Sequence, residues 1–218
     1  MTSDTTGAPA GVEETRRNGK RERSGEDTRQ LVRRAAARIF LEKGYRDASI
    51  QDIANALGMP KGSAYHHIGS KPEVLYDIIS DGMRGLVERM AVIVDYPLSA
   101  RDRLRLALRD NLRSTIEDVH APVAIALRQE IQALSDEQRR EYLKLRVEYQ
   151  QLYFRLYEEG VASGEFRALA DPKIALFGIF GMLSYFQKWF SVDGEKTLNE
   201  VADIWLELIM NGIGSPPA

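Results

Sequence analysis

A short stretch of the chain gathers small and polar side chains that can contact nucleic acid. Lys61, Gly62 and Ser63 begin a predicted helix, and His66 and His67 follow within its next turn. The first residues of a helix that enters the major groove of DNA lie nearest the base edges. There a lysine donates to O6 or N7 of guanine, and a glycine lets the backbone approach closely. These five residues are therefore candidates for contact with DNA.

Two neighbouring side chains suit contacts with phosphate. Tyr65 is expected to pack its ring inward and to offer its hydroxyl group to a phosphate. Lys71 begins the next predicted helix, where its ammonium group adds to the positive end of the helix dipole. Both are expected on the DNA backbone.

The elements that must position these side chains are two short helices joined by a tight turn, which is the pattern of a helix-turn-helix. The first helix is predicted from Ile50 to Leu57 and the second from Lys61 to His67. Gly58 lies in the turn between them and suits a positive φ. The residues expected to pack inward are Ile53, Ala54, Leu57 and Ile68.

The rest of the chain is predicted to be helical, with apolar residues spaced about 3.6 apart and no competing strand pattern. Capping boxes at Ser70, Ser135 and Thr197 mark three helix starts. We therefore expect an all-α protein of about nine helices. Residues 1–24 are predicted to be a disordered arm, 25–72 a three-helix helix-turn-helix domain, and 73–218 a larger helical domain that binds a ligand and dimerises.

The net charge of −2 conceals a basic segment that coincides with the helix-turn-helix. Residues 16–71 carry thirteen Lys and Arg against six Asp and Glu, whereas residues 72–218 carry seventeen against twenty-three. Such a local excess is typical of a surface that faces phosphates. An ordinary charged helix face is the alternative explanation of the charge alone.

Composition excludes several classes of protein. The chain has no cysteine, which excludes a disulfide framework and a thiolate metal site and fits a reducing cytoplasm. The longest nearly unbroken apolar run, Ile174 to Phe186, has thirteen residues, whereas a membrane-spanning helix needs about 20. No apolar run follows Met1, so no secretory signal is expected. We expect a cytoplasmic protein with no membrane contact.

No pattern of residues indicates an enzyme. Two of the three histidines, His66 and His67, are adjacent and cannot share one face of a helix, and His120 is distant in sequence. The chain shows no glycine-rich phosphate loop, no paired-histidine zinc spacing and no nucleophile elbow. We therefore expect no catalytic residues, no metal and no cofactor.

One string of residues between about Leu31 and Leu75 is specific enough to compare with known families. It consists of Ile39-Phe40, Lys43-Gly44-Tyr45, Ser49-Ile50-Gln51-Asp52-Ile53-Ala54, Gly58, Lys61-Gly62-Ser63, Tyr65-His66-His67 and Ser70-Lys71. This string resembles the DNA-binding domain of the TetR family of bacterial regulators. The residues that the resemblance places on the DNA backbone are Ser49, Gln51, Tyr65, His67 and Lys71.

A single helix-turn-helix reads few base pairs, so two copies are expected on half-sites separated by about 34–36 Å or a multiple of it. The last two long helices supply an apolar surface that can pair with itself, and the resemblance also places dimerisation there. Core packing within one protomer is the alternative role for each residue. The candidate dimer residues are Phe177, Gly178, Gly181, Ser184, Trp189, Val201, Ile204, Trp205 and Leu208.

The middle helices are expected to surround a cavity for a small hydrophobic effector. Four arginines can anchor a carboxylate or phosphate, although a solvated helix face explains them equally well: Arg109, Arg113, Arg128 and Arg146. Core packing is the commoner role of the apolar candidates. These candidates are Leu112, Ile116, Ile125, Leu127, Tyr149, Tyr153, Phe154, Tyr157, Met182 and Phe186.

The segment from Met182 to Gly212 is similar to a subgroup of the TetR family that senses acyl-coenzyme A thioesters, which implies an apolar tunnel with basic residues at its mouth. We predict a repressor that binds palindromic operator DNA as a homodimer and is released by such a thioester. The alternatives are a helical protein-interaction adaptor and a small-molecule-binding protein, both without DNA binding. They would explain the helices but not the basic segment.

Overall fold

The structure is a computed structural model that describes residues 28–60, 68–117 and 127–213. Within these ranges the chain forms seven α-helices and two short 3-10 helices, and no strand. The 3-10 helices are Leu127–Ala133 and Phe186–Lys188. The α-helices are α1 (28–43), α2 (Ile50–Ala56), α3 (Lys71–Val94), α4 (Ala100–Glu117), α5 (Asp136–Ala162), α6 (Pro172–Tyr185) and α7 (Leu198–Ile213).

The all-α class is confirmed, but the expected count of nine helices is not matched. The second helix of the predicted helix-turn-helix, Lys61 to His67, lies outside the described residues, as does the predicted arm over 1–24. Between α4 and α5, where the chain is predicted to be helical, the described part is the 3-10 helix Leu127–Ala133. A 3-10 helix is the tighter form that proteins use for short connections.

Local capping signals begin the helices where the sequence predicts. The side chain of Ser70 accepts a hydrogen bond from the backbone of Glu73, and Glu73 accepts one from the backbone of Ser70 at 2.7 Å. The same reciprocal pairs form at Ser135 and at Thr197. Each box satisfies two backbone N–H groups that the helix cannot pair by itself.

Helix α3 connects the two halves of the chain. It begins at Lys71, buries Leu75 and Ile78 completely, and continues to Val94. Its 24 residues correspond to about 36 Å of helix. In the C-terminal half it packs chiefly against α5 and also against α4 and the 3-10 helix Leu127–Ala133. A single continuous helix therefore crosses the domain boundary predicted at residue 72.

Helix α4 is fixed at its first turn by a residue from a distant loop. The carboxylate of Glu165 accepts hydrogen bonds from the backbone N–H groups of Ala100 and Arg101, each at 3.0 Å. The other side of α4 packs against α7. Among the described helices, none is long and apolar enough to cross a membrane.

Candidate DNA-binding and effector sites

The described part of the helix-turn-helix is a small frame of close-packed side chains. Ile53 and Ala54 of α2 are completely buried, and so is Ala36 of α1. Gly58 has φ +64°, which confirms the expected positive φ of the turn after α2. Ile68, the first described residue after the turn region, is also buried. These buried residues form the described part of the frame.

Ser49 and Gln51 lie at the start of α2. The Ser49 hydroxyl caps the helix by accepting from the backbone of Asp52 at 3.2 Å, and it donates to the Asp52 carboxylate at 2.7 Å. Lys43 donates to the same carboxylate at 2.7 Å. The hydrogen bonds from Lys43 and Ser49 lower the pKa of Asp52 to about 2. Gln51 is partly exposed and donates to Asn55 at 2.8 Å.

The ammonium group of Lys71 has three partners within the protein. It donates to the backbone carbonyl oxygens of Tyr45 at 2.8 Å, Arg46 at 3.0 Å and Ala48 at 2.8 Å. It also lies 4.6 Å from the centre of the Tyr45 ring. A lysine has three N–H donors, so all of them are engaged. The expected phosphate contact of Lys71 is therefore opposed by a structural task, which is to hold the loop between α1 and α2.

Six predicted DNA contacts lie outside the described residues. They are Lys61, Gly62, Ser63, Tyr65, His66 and His67. Their roles stay predictions.

One contact links this frame to the C-terminal half. Arg46, in the loop between α1 and α2, lies 3.5 Å from the carboxylate of Glu130 in the 3-10 helix Leu127–Ala133. Burial raises the pKa of Tyr45, and the nearby charge of Glu130 adds to the effect. The loop that Lys71 holds therefore also contacts the C-terminal half of the chain.

A cluster of neutral polar groups lies inside the C-terminal half. The amide nitrogen of Asn111 donates to the hydroxyl of Tyr149 at 2.9 Å, and that hydroxyl lies 3.3 Å from the hydroxyl of Tyr153. The Phe180 ring meets both phenol rings, with centroids 6.1 Å from Tyr149 and 5.1 Å from Tyr153. Burial raises the pKa of both tyrosines, most strongly that of Tyr153. Two of the predicted effector residues are thus brought together with Asn111 and Phe180, which were not predicted.

The sequence does contain a signal for Asn111. It lies one turn from Leu108 and one turn from Thr115, within an otherwise apolar stripe of α4. Ser114, beside Thr115, is also buried. A run of buried polar side chains on the core face of a helix is unusual and indicates a special environment.

The other predicted effector residues have different surroundings. Leu112 is completely buried, and the partly buried side chains are Ile116, Phe154 and Met182. The hydroxyl of Tyr157 is occupied, because it donates to the carbonyl of Arg167 at 3.2 Å and accepts from the backbone of Leu169 at 2.8 Å. It secures the turn after α5 and is not free to bind a ligand.

Phe186 belongs to an aromatic cluster between α6 and α7. Its side chain is fully buried and stacks on Phe190 with centroids 4.5 Å apart. Trp205 meets it edge-on at 5.8 Å, and Trp189 at 5.4 Å. In the structure Phe186 packs between these helices, and its predicted role in an effector cavity stays a prediction.

The predicted anionic anchor at Arg109 is also engaged. Arg109 donates to both carboxylate oxygens of Asp203, at 3.0 and 2.8 Å, in an open groove of about 610 Å³ between α4 and α7. Arg113 is exposed and Arg146 partly exposed. Ile125 and the side chains of Leu127 and Arg128 lie outside the described set.

Helices α6 and α7 expose a large apolar surface. A Cβ atom at Gly178 or Gly181 would meet no atom within 4 Å, so the backbone of α6 is open there. Several exposed apolar side chains on two neighbouring helices are typical of an interaction site. Three exposed residues of this surface were not predicted: Ile174, Tyr185 and Val192. The predicted residues that are exposed are Phe177, Trp189, Ile204 and Leu208.

Three predicted dimer residues are buried or partly buried within the protomer. Val201 is only 4% exposed and packs in the core of the protomer, so it does not belong to the exposed surface. Ser184 and Trp205 are partly buried. The buried stripe of α7 runs through Val201 and Leu206, one step around the helix from the exposed pair Ile204 and Leu208.

No metal site is visible in the described ranges, where no group of three or more His, Cys, Asp or Glu side chains could hold an ion. The described residues combine a close-packed helix-turn-helix frame with a helical domain that has an open apolar face, and one long helix joins the two.

This architecture is typical of transcriptional regulators in which a single chain carries both a DNA-binding domain and a ligand-binding domain.

Comparison with known proteins identifies the family. Residues 32–78 match the model of bacterial regulatory proteins of the tetR family, and residues 97–213 match the tetracyclin repressor-like C-terminal domain. The chain belongs to the TetR family and is a TetR-type transcriptional repressor with a DNA-binding helix-turn-helix; this is a family of regulators and not of enzymes.

Individual relatives match over most of the chain. The transcriptional repressor KstR2 of Rhodococcus jostii is 31% identical over 182 residues, which cover 83% of this chain and 88% of that protein. The crystal structure of PfmR from Thermus thermophilus is similar with a TM-score of 0.75 at 32% identity, covering 85% of this chain and 99% of that one. The structure of AibR in complex with isovaleryl coenzyme A and operator DNA has a TM-score of 0.73 at 27% identity, covering 83% and 97%.

Proposed function

We propose that this repressor binds palindromic operator DNA as a homodimer and that a small hydrophobic effector, an acyl-CoA thioester, releases it. The observation that carries the proposal is α3, which starts in the helix-turn-helix frame at Lys71 and ends among the helices of the effector half. A continuous helix moves as one body, so a change in the effector half displaces the DNA-binding frame. Helix α3 would then take part both in operator binding and in release by the effector.

The DNA contacts divide into those that read bases and those that fix the register. Lys61, Gly62 and Ser63 are proposed to reach base edges in the major groove. The proposed backbone contacts are Ser49, Gln51, Tyr65, His66 and His67. The exposed position of Ser49 at the start of α2 supports its part in this set.

The proposed homodimer pairs α6 and α7 of one protomer with the same helices of the other. An isologous interface needs an apolar surface that is complementary to itself. The open backbone at Gly178 and Gly181 lets bulky residues of a partner approach, and the exposed side chains of Phe177 and Leu208 supply the bulk. The spacing of the two recognition segments is set by this interface.

The effector acts through its unequal affinity for two conformers. It can shift the protein only by the difference in its binding free energy between the DNA-bound and released forms. An acyl-CoA thioester is proposed because AibR, which shares the fold at 27% identity, is described with isovaleryl coenzyme A and operator DNA. The apolar surroundings of Leu112 and Phe180 support an acyl chain as the buried part.

A gel-shift titration tests the DNA-binding part. Wild-type protein is expected to shift the DNA that lies upstream of its own gene and not an unrelated fragment of the same length. The affinity should fall steeply with salt, because each neutralised phosphate releases counterions. Lys61→Ala should relax base preference at a cost of about 1–3 kcal/mol at the cognate base. Unchanged base preference in this variant would remove Lys61 from the reading set.

The same assay tests release. Decanoyl-CoA is expected to dissociate the complex at concentrations where free coenzyme A has no effect. Failure of decanoyl-CoA and of isovaleryl-CoA to release bound DNA would contradict the acyl-CoA part while leaving operator binding intact.

Sedimentation measures the dimer. Leu208→Asp places a charge on the exposed face of α7 and is expected to yield monomers that lose operator affinity. Val147→Asp is a matched control, because Val147 is an exposed apolar residue on α5, outside the proposed interface. Monomers in both variants, or dimers in both, would contradict the assignment of the interface.

A further inference from the structure

The neutral polar cluster in the effector half has an unused hydrogen-bonding capacity. Asn111 is 7% exposed, and its amide nitrogen is bonded to Tyr149, yet its amide oxygen has no partner. Several buried side-chain atoms of the described residues have no hydrogen-bond partner. The Asn111 oxygen is the one among them that can only accept a hydrogen bond. A buried acceptor left unpaired destabilises the protein, so its retention needs a reason.

The two phenols add a donor to this free acceptor. Tyr149 and Tyr153 have two hydroxyl protons between them and share one hydrogen bond, at 3.3 Å. Tyr149 also accepts from Asn111, so whichever phenol donates within the pair, one O–H remains over. Burial raises the pKa of both phenols, and they stay protonated donors at neutral pH. The cluster therefore offers one acceptor and one donor at the same place.

The immediate surroundings of this pair of groups are largely apolar and favour a neutral partner. Leu108 and Leu112 are completely buried on the same helix, and the Phe180 ring covers the phenols. The charges of Arg89 and Asp110 oppose each other in an ion pair at 2.9 Å, although the buried Nη2 of Arg89 has no hydrogen-bond partner. An unpaired carboxylate or phosphate placed here would lose its hydration without gaining a counterion.

We propose that Asn111, Tyr149 and Tyr153 bind a hydroxyl group on the apolar part of the effector. A hydroxyl group donates to the Asn111 oxygen and accepts from the remaining phenol, so it completes both ends of the cluster. This inference rests on the proposed effector-responsive function and adds a selectivity that an apolar chain alone does not have. The arginines predicted as anionic anchors take no part in it.

A matched pair of thioesters tests the proposal by titration calorimetry. Wild-type protein is expected to bind 3-hydroxydecanoyl-CoA about tenfold more tightly than decanoyl-CoA, because two neutral hydrogen bonds together contribute about that factor. Asn111→Leu should retain decanoyl-CoA binding and lose the preference. Val147→Asp, on the exposed face of α5, is the control, because Val147 is 50% exposed and takes no part in the hydrogen bonds of the cluster.

A second pair, 1-decanol and decyl methyl ether, separates this inference from the acyl-CoA proposal. If neither thioester binds, acyl-CoA is the wrong effector class, and a preference for decanol over the ether that Asn111→Leu abolishes still supports the hydroxyl site. The proposed hydroxyl site is overturned if, in each of the two pairs, the two compounds bind equally or neither compound binds.

The ligand-free protein supplies an independent measurement. If the Asn111 oxygen is unpaired without effector, Asn111→Leu raises the melting temperature by about 2–4 °C. A fall in melting temperature would show that Asn111 stabilises the ligand-free protein, and would overturn the proposal.

Discussion

Replacing Lys71 distinguishes between two roles of this residue, which are to hold the loop between α1 and α2 and to contact a DNA phosphate. The three carbonyl oxygens that it binds belong to the loop between α1 and α2, and Lys71→Met removes all three hydrogen bonds while keeping the aliphatic stem. A hydrogen bond to a charged group contributes about 1.5–3 kcal/mol, but Lys71 is only partly buried and water can replace part of each bond. We therefore expect a loss of about 1–3 kcal/mol in the free energy of unfolding.

The salt dependence of operator binding decides whether Lys71 also contacts phosphate. Each neutralised phosphate contributes about 0.9 to the slope of log affinity against log salt, so a homodimer with two such lysines would lose about 1.8. Because the donors of Lys71 are engaged within the protein, we expect Lys71→Met to lower affinity for all sequences and leave this slope unchanged.

Two variants calibrate the Lys71 experiment. Lys144→Met removes an exposed lysine of α5 that pairs only with Glu141, and its melting temperature should stay near the wild-type value. Lys61→Met, at a proposed base contact, is expected to change base preference more than the slope, because the slope counts neutralised phosphates. A reduced slope with unchanged stability in Lys71→Met would refute the reasoning, since the ammonium group would then leave its carbonyls for phosphate.

Three further perturbations test the frame and its link to the effector half. Gly58→Ala forces a side chain into φ +64° and should destabilise the protein by about 1–2 kcal/mol in urea, whereas Gly212→Ala, in an open helical position, should not. The pKa of Asp52, about 2, lies below its ordinary value of 3.8, so its carboxylate stabilises the fold above about pH 4 and loses this effect as the pH falls towards 2. Asp52→Asn should accordingly flatten the acid limb of a pH-unfolding curve, and an unchanged limb would contradict the assignment. Glu130→Gln weakens an exposed contact with Arg46, so stability should change by less than about 1 kcal/mol while the effector concentration that releases half of the bound DNA shifts.

Sequence was sufficient wherever structure depends on residues a few positions apart. The capping boxes at Ser70 and Ser135 and the positive φ of Gly58 are local, since each follows from a pattern within four residues. The all-α class follows from the same kind of signal. Such features form largely independently of how distant segments meet.

The sequence was less informative where contacts join distant residues. Lys71 was assigned to phosphate from its place at a helix start, but its partners lie 23 to 26 residues earlier in the chain. Arg109 was assigned to an effector, but Asp203 lies 94 residues later. Val201 was placed on the wrong face of α7 because neighbouring apolar stripes on one helix are indistinguishable until its partner, α4, is known.

The polar groups of α3 and α4 give the proposed release a physical route. Asn111 follows Asp110 on α4, and Asp110 is paired with Arg89 on α3 at 2.9 Å. Eighteen residues before Arg89, a helical distance of about 27 Å, Lys71 holds the carbonyls of the loop before α2. A ligand that moves α4 at Asn111 therefore pulls on a helix whose other end is tied to the DNA-binding frame. Under the proposed function, the hydrogen bonds of Lys71 to the loop before α2 are more important for release than a phosphate contact would be. Without these bonds the loop would move independently of α3, and the movement of α3 would not reach α2.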